Sequence, residues 1–171
     1  MGIVSTALRP WIDIAIQPKR CILTDQDVTI EFDLELFNSG SAPARNIAIE
    51  GMIVNAGPTQ DDDLGTFFAK PPVQGNRIEL IAPIHRINIP TQLVVPREFV
   101  VPVEMGGGEM FVPLLAFNAI YAVGSREGRT STTFLVGRDG NGGKLAPFRL
   151  GLGPRVFRGL GARQLPTGIR R

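Results

Sequence analysis

Val28-Thr29-Ile30-Glu31-Phe32-Asp33-Leu34-Glu35-Leu36 alternates apolar and polar residues without a break. In an extended chain successive side chains point to opposite sides, so the apolar set falls on one face and the polar set on the other. A helix would scatter the same residues around its circumference. The stretch reads as a strand with one buried and one wet face, the habit of an antiparallel sheet. Upstream, Trp11-Ile12-Asp13-Ile14-Ala15-Ile16-Gln17 alternates too. Pro18 is expected to stop that strand, and Thr24-Asp25-Gln26-Asp27 to turn the chain into the next.

Downstream, Asn38-Ser39-Gly40-Ser41-Ala42-Pro43 is dense in turn formers. Gly40 is the residue expected at positive φ there. Ala44–Asn55 follows as a strand, with Ile47, Ile49 and Ile53 on one face and Gly51 as the expected position of a bulge. Residues 56–83 form an irregular insertion, with a short helical turn expected at Asp63–Ala69 and a short strand at Arg77–Ile81. Arg86–Val95 alternates again, and Glu104–Glu109 reads as a hairpin loop. Met110–Val123 is apolar on both faces and fits one central strand covered on both sides. Thr130–Gly137 is rich in β-formers, and Asp139–Gly143 closes it as a turn. About seven strands over residues 10–137 predict an all-β fold, an antiparallel immunoglobulin-like β-sandwich. An open barrel is the alternative.

Composition agrees and excludes much else. Glycine (20) and proline (14) amount to about a fifth of the 171 residues, which disfavours a helical bundle. One cysteine excludes an intrachain disulfide framework and any multi-cysteine zinc site. One histidine excludes the usual multi-histidine metal sites and leaves only His85 for triad chemistry. The longest uncharged run, Met110–Ser125, is 16 residues and contains Pro113 and Asn118. A spanning helix needs about 20 mostly apolar residues. Met1–Pro10 has no apolar core of a signal peptide. The chain itself is expected to be soluble, with neither a signal peptide nor a transmembrane segment.

Charge divides the chain. Residues 1–146 hold twelve Lys/Arg and all sixteen Asp/Glu, net −4, whereas residues 147–171 hold six arginines and no acid, net +6. The organisation expected is an N-terminal linker (1–9), the sandwich (10–146) and a basic extension (147–171). The extension carries Phe148, Leu150, Phe157 and Leu160, too apolar for a free charged arm, and is expected to pack on the domain through them. It would then cover a sheet edge, which a sandwich must protect.

Phe37-Asn38-Ser39-Gly40-Ser41-Ala42-Pro43-Ala44-Arg45-Asn46-Ile47 resembles the turn between the second and third strands of bacterial CARDB-like and DUF11-like domains. The matching residues are Asn38, Gly40, Ala44, Asn46 and Ile47. Leu8–Trp11 and Gly151–Arg163 are also similar to the ends of uncharacterised alphaproteobacterial membrane-associated proteins. The resemblance implies an immunoglobulin-like module of an envelope-associated or membrane-associated protein, and it carries no catalytic residues.

Candidate chemistry is sparse. Asp61-Asp62-Asp63 lacks ligand spacing and reads as a solvated loop rather than a calcium site. Glu104–Glu109 lacks Gly-Lys-Ser/Thr, and no Gly-x-Ser-x-Gly elbow accompanies His85. Cys21 follows Lys19-Arg20, a weak signal for a reactive thiol. Trp11 reads as packing against core or tail rather than as a ligand platform. No cofactor and no metal are expected, and the protein is not expected to be an enzyme. The candidate interaction residues are Arg149, Arg155, Arg158, Arg163, Arg170 and Arg171, facing an anionic partner or the chain's own acidic body. The partners expected are a protein, a second copy, or anionic lipid through the basic tail. Nucleic acid is disfavoured, because one aromatic among six arginines makes no stacking groove. The function expected is a non-enzymatic structural or protein-interaction module. The alternative is a ligand-binding or enzymatic sandwich with its site in residues 56–83.

Overall fold

The structure is a computed structural model that describes residues 8–72, 76–140, 142–166 and 168–171. Most of the N-terminal linker, 1–7, thus lies outside the described residues. In chain order the elements are β1 (Ile12–Leu23), β2 (Asp27–Asn38), β3 (Ala44–Asn55), helix α1 (Gln60–Ala69), β4 (Asn76–Ile81) and β5 (Arg86–Pro96). A 3-10 turn at Arg97–Phe99 leads to β6 (Val103–Met105), β7 (Gly108–Phe111), β8 (Pro113–Val123) and β9 (Arg126–Asp139). The C-terminal segment adds β10 (Leu145–Ala146), β11 (Phe148–Arg149), β12 (Arg155–Phe157), β13 (Leu160–Gln164) and β14 (Ile169–Arg170).

All pairings are antiparallel, and the fold is an all-β sandwich. One sheet runs β12-β1-β2-β5. The other runs β10-β9-β8-β3-β4, with β13 and β14 on the free side of β9, and β11-β7-β6 form a small third sheet. Val28, Ile30, Phe32, Leu34 and Leu36 are all buried, and they meet Leu115, Phe117 and Phe134 from the facing sheet. Phe32 and Phe117 pack edge-on with centroids 5.6 Å apart. The polar face of β2 is neutralised from its flanking strands. Arg20 makes a bidentate pair with Glu31, Lys19 Nζ lies 3.2 Å from Asp33, and Arg86 Nε lies 3.1 Å from Glu35. Arg20's hydrogen bond, with help from the charges of Arg158 and Lys19, holds the Glu31 carboxyl below its usual range.

β8 is central and buried on both sides. One face joins the core, and the other lies under α1, where Leu64 and Phe67 pack on Val54, Leu114 and Ala116. Asp61, Asp62 and Asp63 form the first turn of that helix and not a loop. Their charges favour the helix there, because its N-terminus carries unpaired N–H groups.

Four local expectations are corrected. Pro18 does not end β1; the strand runs on to Leu23 across a bulge between Pro18 and Arg20. Proline is tolerated at this position because β12 reaches only Cys21–Leu23, so Pro18 lies where β1 is an edge. The bulge of β3 lies at Arg45–Ala48, with Asn46 at φ 52, and not at Gly51. Gly51 sits in regular pairing with Phe117, and close approach accounts for the glycine, because a Cβ there would stand 2.9 Å from the Phe117 ring. Gly40 is absent from the positive-φ residues; its Cβ would lie 2.2 Å from the Arg9 carbonyl oxygen, so close chain approach is what demands glycine. Met110–Val123 is two strands, β7 and β8, broken at Val112 before Pro113. The hairpin expected at Glu104–Glu109 is β6–β7, turned by Gly106 and Gly107 at φ 58 and 79.

Two stability measurements check this arrangement. Phe32→Ala should cost about 3–5 kcal/mol in denaturant unfolding. Glu31→Ala should cost far less, since Glu31 lies on the half-exposed outer face of β2; equal costs would contradict the register. Gly40→Ala should lower stability by about 1–3 kcal/mol or more through the clash with Arg9–Trp11. An unchanged thermal midpoint would contradict that close approach.

Candidate functional site

The C-terminal residues form a strap across both sheets. β11 pairs with β7, β12 with the end of β1, and β13 and β14 with β9. Phe148 and Leu150 are buried, and Phe157 and Leu160 pack against the core. The Phe148 and Phe157 rings meet at 5.2 Å. Burial of these side chains holds the strap, since its exposed ion pair is worth at most about 1 kcal/mol. Truncation after Ala146 should therefore lower the melting temperature and promote aggregation through the bared edges of β9 and β1. An unchanged midpoint would refute strap docking.

All six strap arginines are exposed, but the fold separates them. Arg149 and Arg155 lie where β1 and β3 end. Arg158 acts on Glu31 at the outer face of the first sheet. Arg163 pairs across from Leu135 on β9. Arg170 reaches Asp13 at 3.2 Å and Ser39 Oγ at 3.2 Å, and its Cζ stands 4.6 Å from the Trp11 ring centroid. Arg9 Cζ lies 3.4 Å from the same centroid, so arginines from both ends of the chain occupy this tryptophan. Arg171 is held by paired backbone hydrogen bonds with Arg129.

A different cluster forms in space. Antiparallel pairing brings the start of β1, the end of β2, the start of β3, the β4–β5 turn, the β8–β9 turn and β14 to one end of the sandwich. Asn38 bonds to His85 and Ile84, Arg45 pairs with Ala122, and Thr130 Oγ1 donates to the Ile12 carbonyl at 2.6 Å. In residues 8–13, 39–45, 82–86, 124–129 and 169–171 there are seven arginines and two carboxylates, net +5. At the opposite end lie residues 24–27, 56–63, 97–109, 139–140, 142–144 and 149–155. They hold nine carboxylates and four cations, net −5. The body is a charge dipole along the strands. Reading the chain in order missed this, because Arg9, Arg45, Arg126 and Arg129 are dispersed and only strand pairing gathers them.

Nucleophile and base candidates have structural places. Cys21 is buried in the core, and desolvation pushes its thiol up to about 12, so it stays protonated at neutral pH. His85 is exposed in the β4–β5 turn, with Nδ1 2.9 Å from the Pro83 carbonyl oxygen. Asn118 is buried beneath the end of α1; its Nδ2 donates to the Lys70 carbonyl, and its Oδ1 accepts from Arg129 and Ser131. Among the described residues no group of three or more His, Cys, Asp or Glu could hold a metal ion. No helix among them is long and apolar enough to cross a membrane. The described residues of the 56–83 insertion include α1 and β4, and Ala69 and Pro71 line an open groove of about 260 Å³ with Ile120, Glu127, Arg129 and Arg171. Comparison with family models, curated proteins and solved structures found no match.

Proposed function

We propose that this chain is a non-enzymatic interaction module, the structural or protein-binding unit of a bacterial envelope-associated protein. The observation that carries the reading is the charge dipole on a rigid body, +5 at one end and −5 at the other. A charge array fixed on paired strands recognises an oppositely charged surface without an ordering cost, and it steers the encounter. The buried polar side chains serve the fold: Asn38, Asn118, Thr130 and Tyr121 each bond within the sandwich. The likeness to CARDB-like and DUF11-like modules is supported by Asn38–Asn46, which connects β2 of one sheet to β3 of the other.

Retention on an immobilised polyanion tests the basic pole. Arg45→Glu with Arg126→Glu should elute at lower salt, while Arg149→Glu with Arg155→Glu should elute like the parent. Equal elution of all three would overturn the reading. The ligand-binding alternative is tested by thermal shift with metal ions and common metabolites. A true ligand at about 100 Kd adds about 2.7 kcal/mol, roughly 5–10 °C for a domain of this size. An unmoved midpoint across the panel is expected.

A further inference from the structure

The arginine-rich end carries a feature that its charge does not explain. Ile84 stands at the tip of the β4–β5 turn with φ 58 and 67% of its surface exposed. A β-branched residue in the left-handed region is strained, where glycine or asparagine would not be. The geometry is imposed from below: Ile84 N–H donates to the Asn38 carbonyl at 2.8 Å, and His85 N–H to the Ala82 carbonyl at 3.2 Å. The side chain therefore costs the fold strain and returns little burial to it, a combination that points to a contact outside the fold. Leu8, 76% exposed, and Leu80, 48% exposed, stand at the same end.

We propose, resting on the interaction-module reading, that this end docks on an anionic bilayer, with Ile84 entering the boundary between headgroups and acyl chains. Charge complementarity selects the occupant. Of the arginines at this end only Arg86 and Arg170 are in ion pairs among the described residues, with Glu35 and Asp13. Arg9 stacks on Trp11 and Arg129 donates to Asn118 and the Lys70 carbonyl, while Arg45, Arg126 and Arg171 stand exposed with no side-chain ion pair among the described residues. A protein interface gathers its apolar area at the centre and excludes charge from it. Here single apolar side chains project between arginines, which suits a surface that takes an aliphatic tip and a phosphate side by side. Nucleic acid would want an exposed stacking ring, and Trp11 is already covered by Arg9 and Arg170.

Vesicle co-sedimentation tests the proposal. At ~0.1 M salt the full chain should pellet with phosphatidylcholine vesicles containing about 30% phosphatidylglycerol and not with phosphatidylcholine alone. Arg45→Glu with Arg126→Glu should weaken partitioning more than about fivefold for each site changed. Ile84→Gly separates docking from folding: it relieves the positive φ, so the melting temperature should hold or rise while vesicle binding falls several-fold. Arg149→Glu with Arg155→Glu, at the far end, should bind like the parent. Failure to pellet, equal pelleting with neutral vesicles, or parent-like binding by Ile84→Gly overturns the proposal. Retention on the polyanion without pelleting overturns the bilayer as occupant and leaves the interaction module standing. Loss of both overturns both.

Discussion

Asn38 is the constraint on which the rest of one end depends. It is fully buried, and every hydrogen-bonding group it owns is used. Its Nδ2 donates to the carbonyls of Ala42 at 2.8 Å and Ile81 at 3.0 Å. Its Oδ1 accepts from the N–H groups of Gly40 and Trp11. Its own backbone bonds to His85 and Ile84. One side chain thus fixes the N-terminal segment, the crossing from one sheet to the other, the end of β4 and the turn that lifts Ile84. Buried amides left unpaired are costly, so these segments either all take this arrangement or all lose it.

The second organising demand is edge protection. β1 has free backbone groups on the side away from β2. At Ile12 they are met by Tyr121 Oη and Thr130 Oγ1 from the facing sheet, and at Cys21–Leu23 by β12. β9 is covered by β13 and β14. Among the described residues β5 pairs only with β2, and its defence is chemical. The Arg97–Gln26 hydrogen bond continues the ladder, so alternation puts Pro90 and Pro96 where an N–H would face the open edge. Proline offers no donor there, which discourages a further strand.

Charge is ordered differently along the chain and in space. In sequence it is an acidic body with a basic tail. Folded, the tail runs the length of the sandwich and distributes Arg149 and Arg155 to the acidic pole, Arg170 and Arg171 to the basic one. The basic pole therefore owes more to Arg9, Arg45, Arg86, Arg126 and Arg129, residues outside the tail, than to the tail as a unit.

The alternation of residues 28–36 and the two-sided apolar run ending at Val123 determined strands and their buried faces, because period-two patterning reports side-chain direction directly; sandwich and open barrel share that pattern, and the pairing of the strands decided between them. The tail's aromatic and leucine residues likewise marked it as packed, since free arms lack such groups. Only tertiary structure decided what each glycine and proline is for. Gly40 answers to Arg9, Gly51 to the Phe117 ring, and Pro18 to an edge that becomes one only after β12 stops short. Those neighbours are far off in sequence, and no local pattern encodes a contact whose other half arrives from a distant strand. The basic pole has the same origin: its arginines are brought together by antiparallel pairing and by Asn38, not by proximity along the chain.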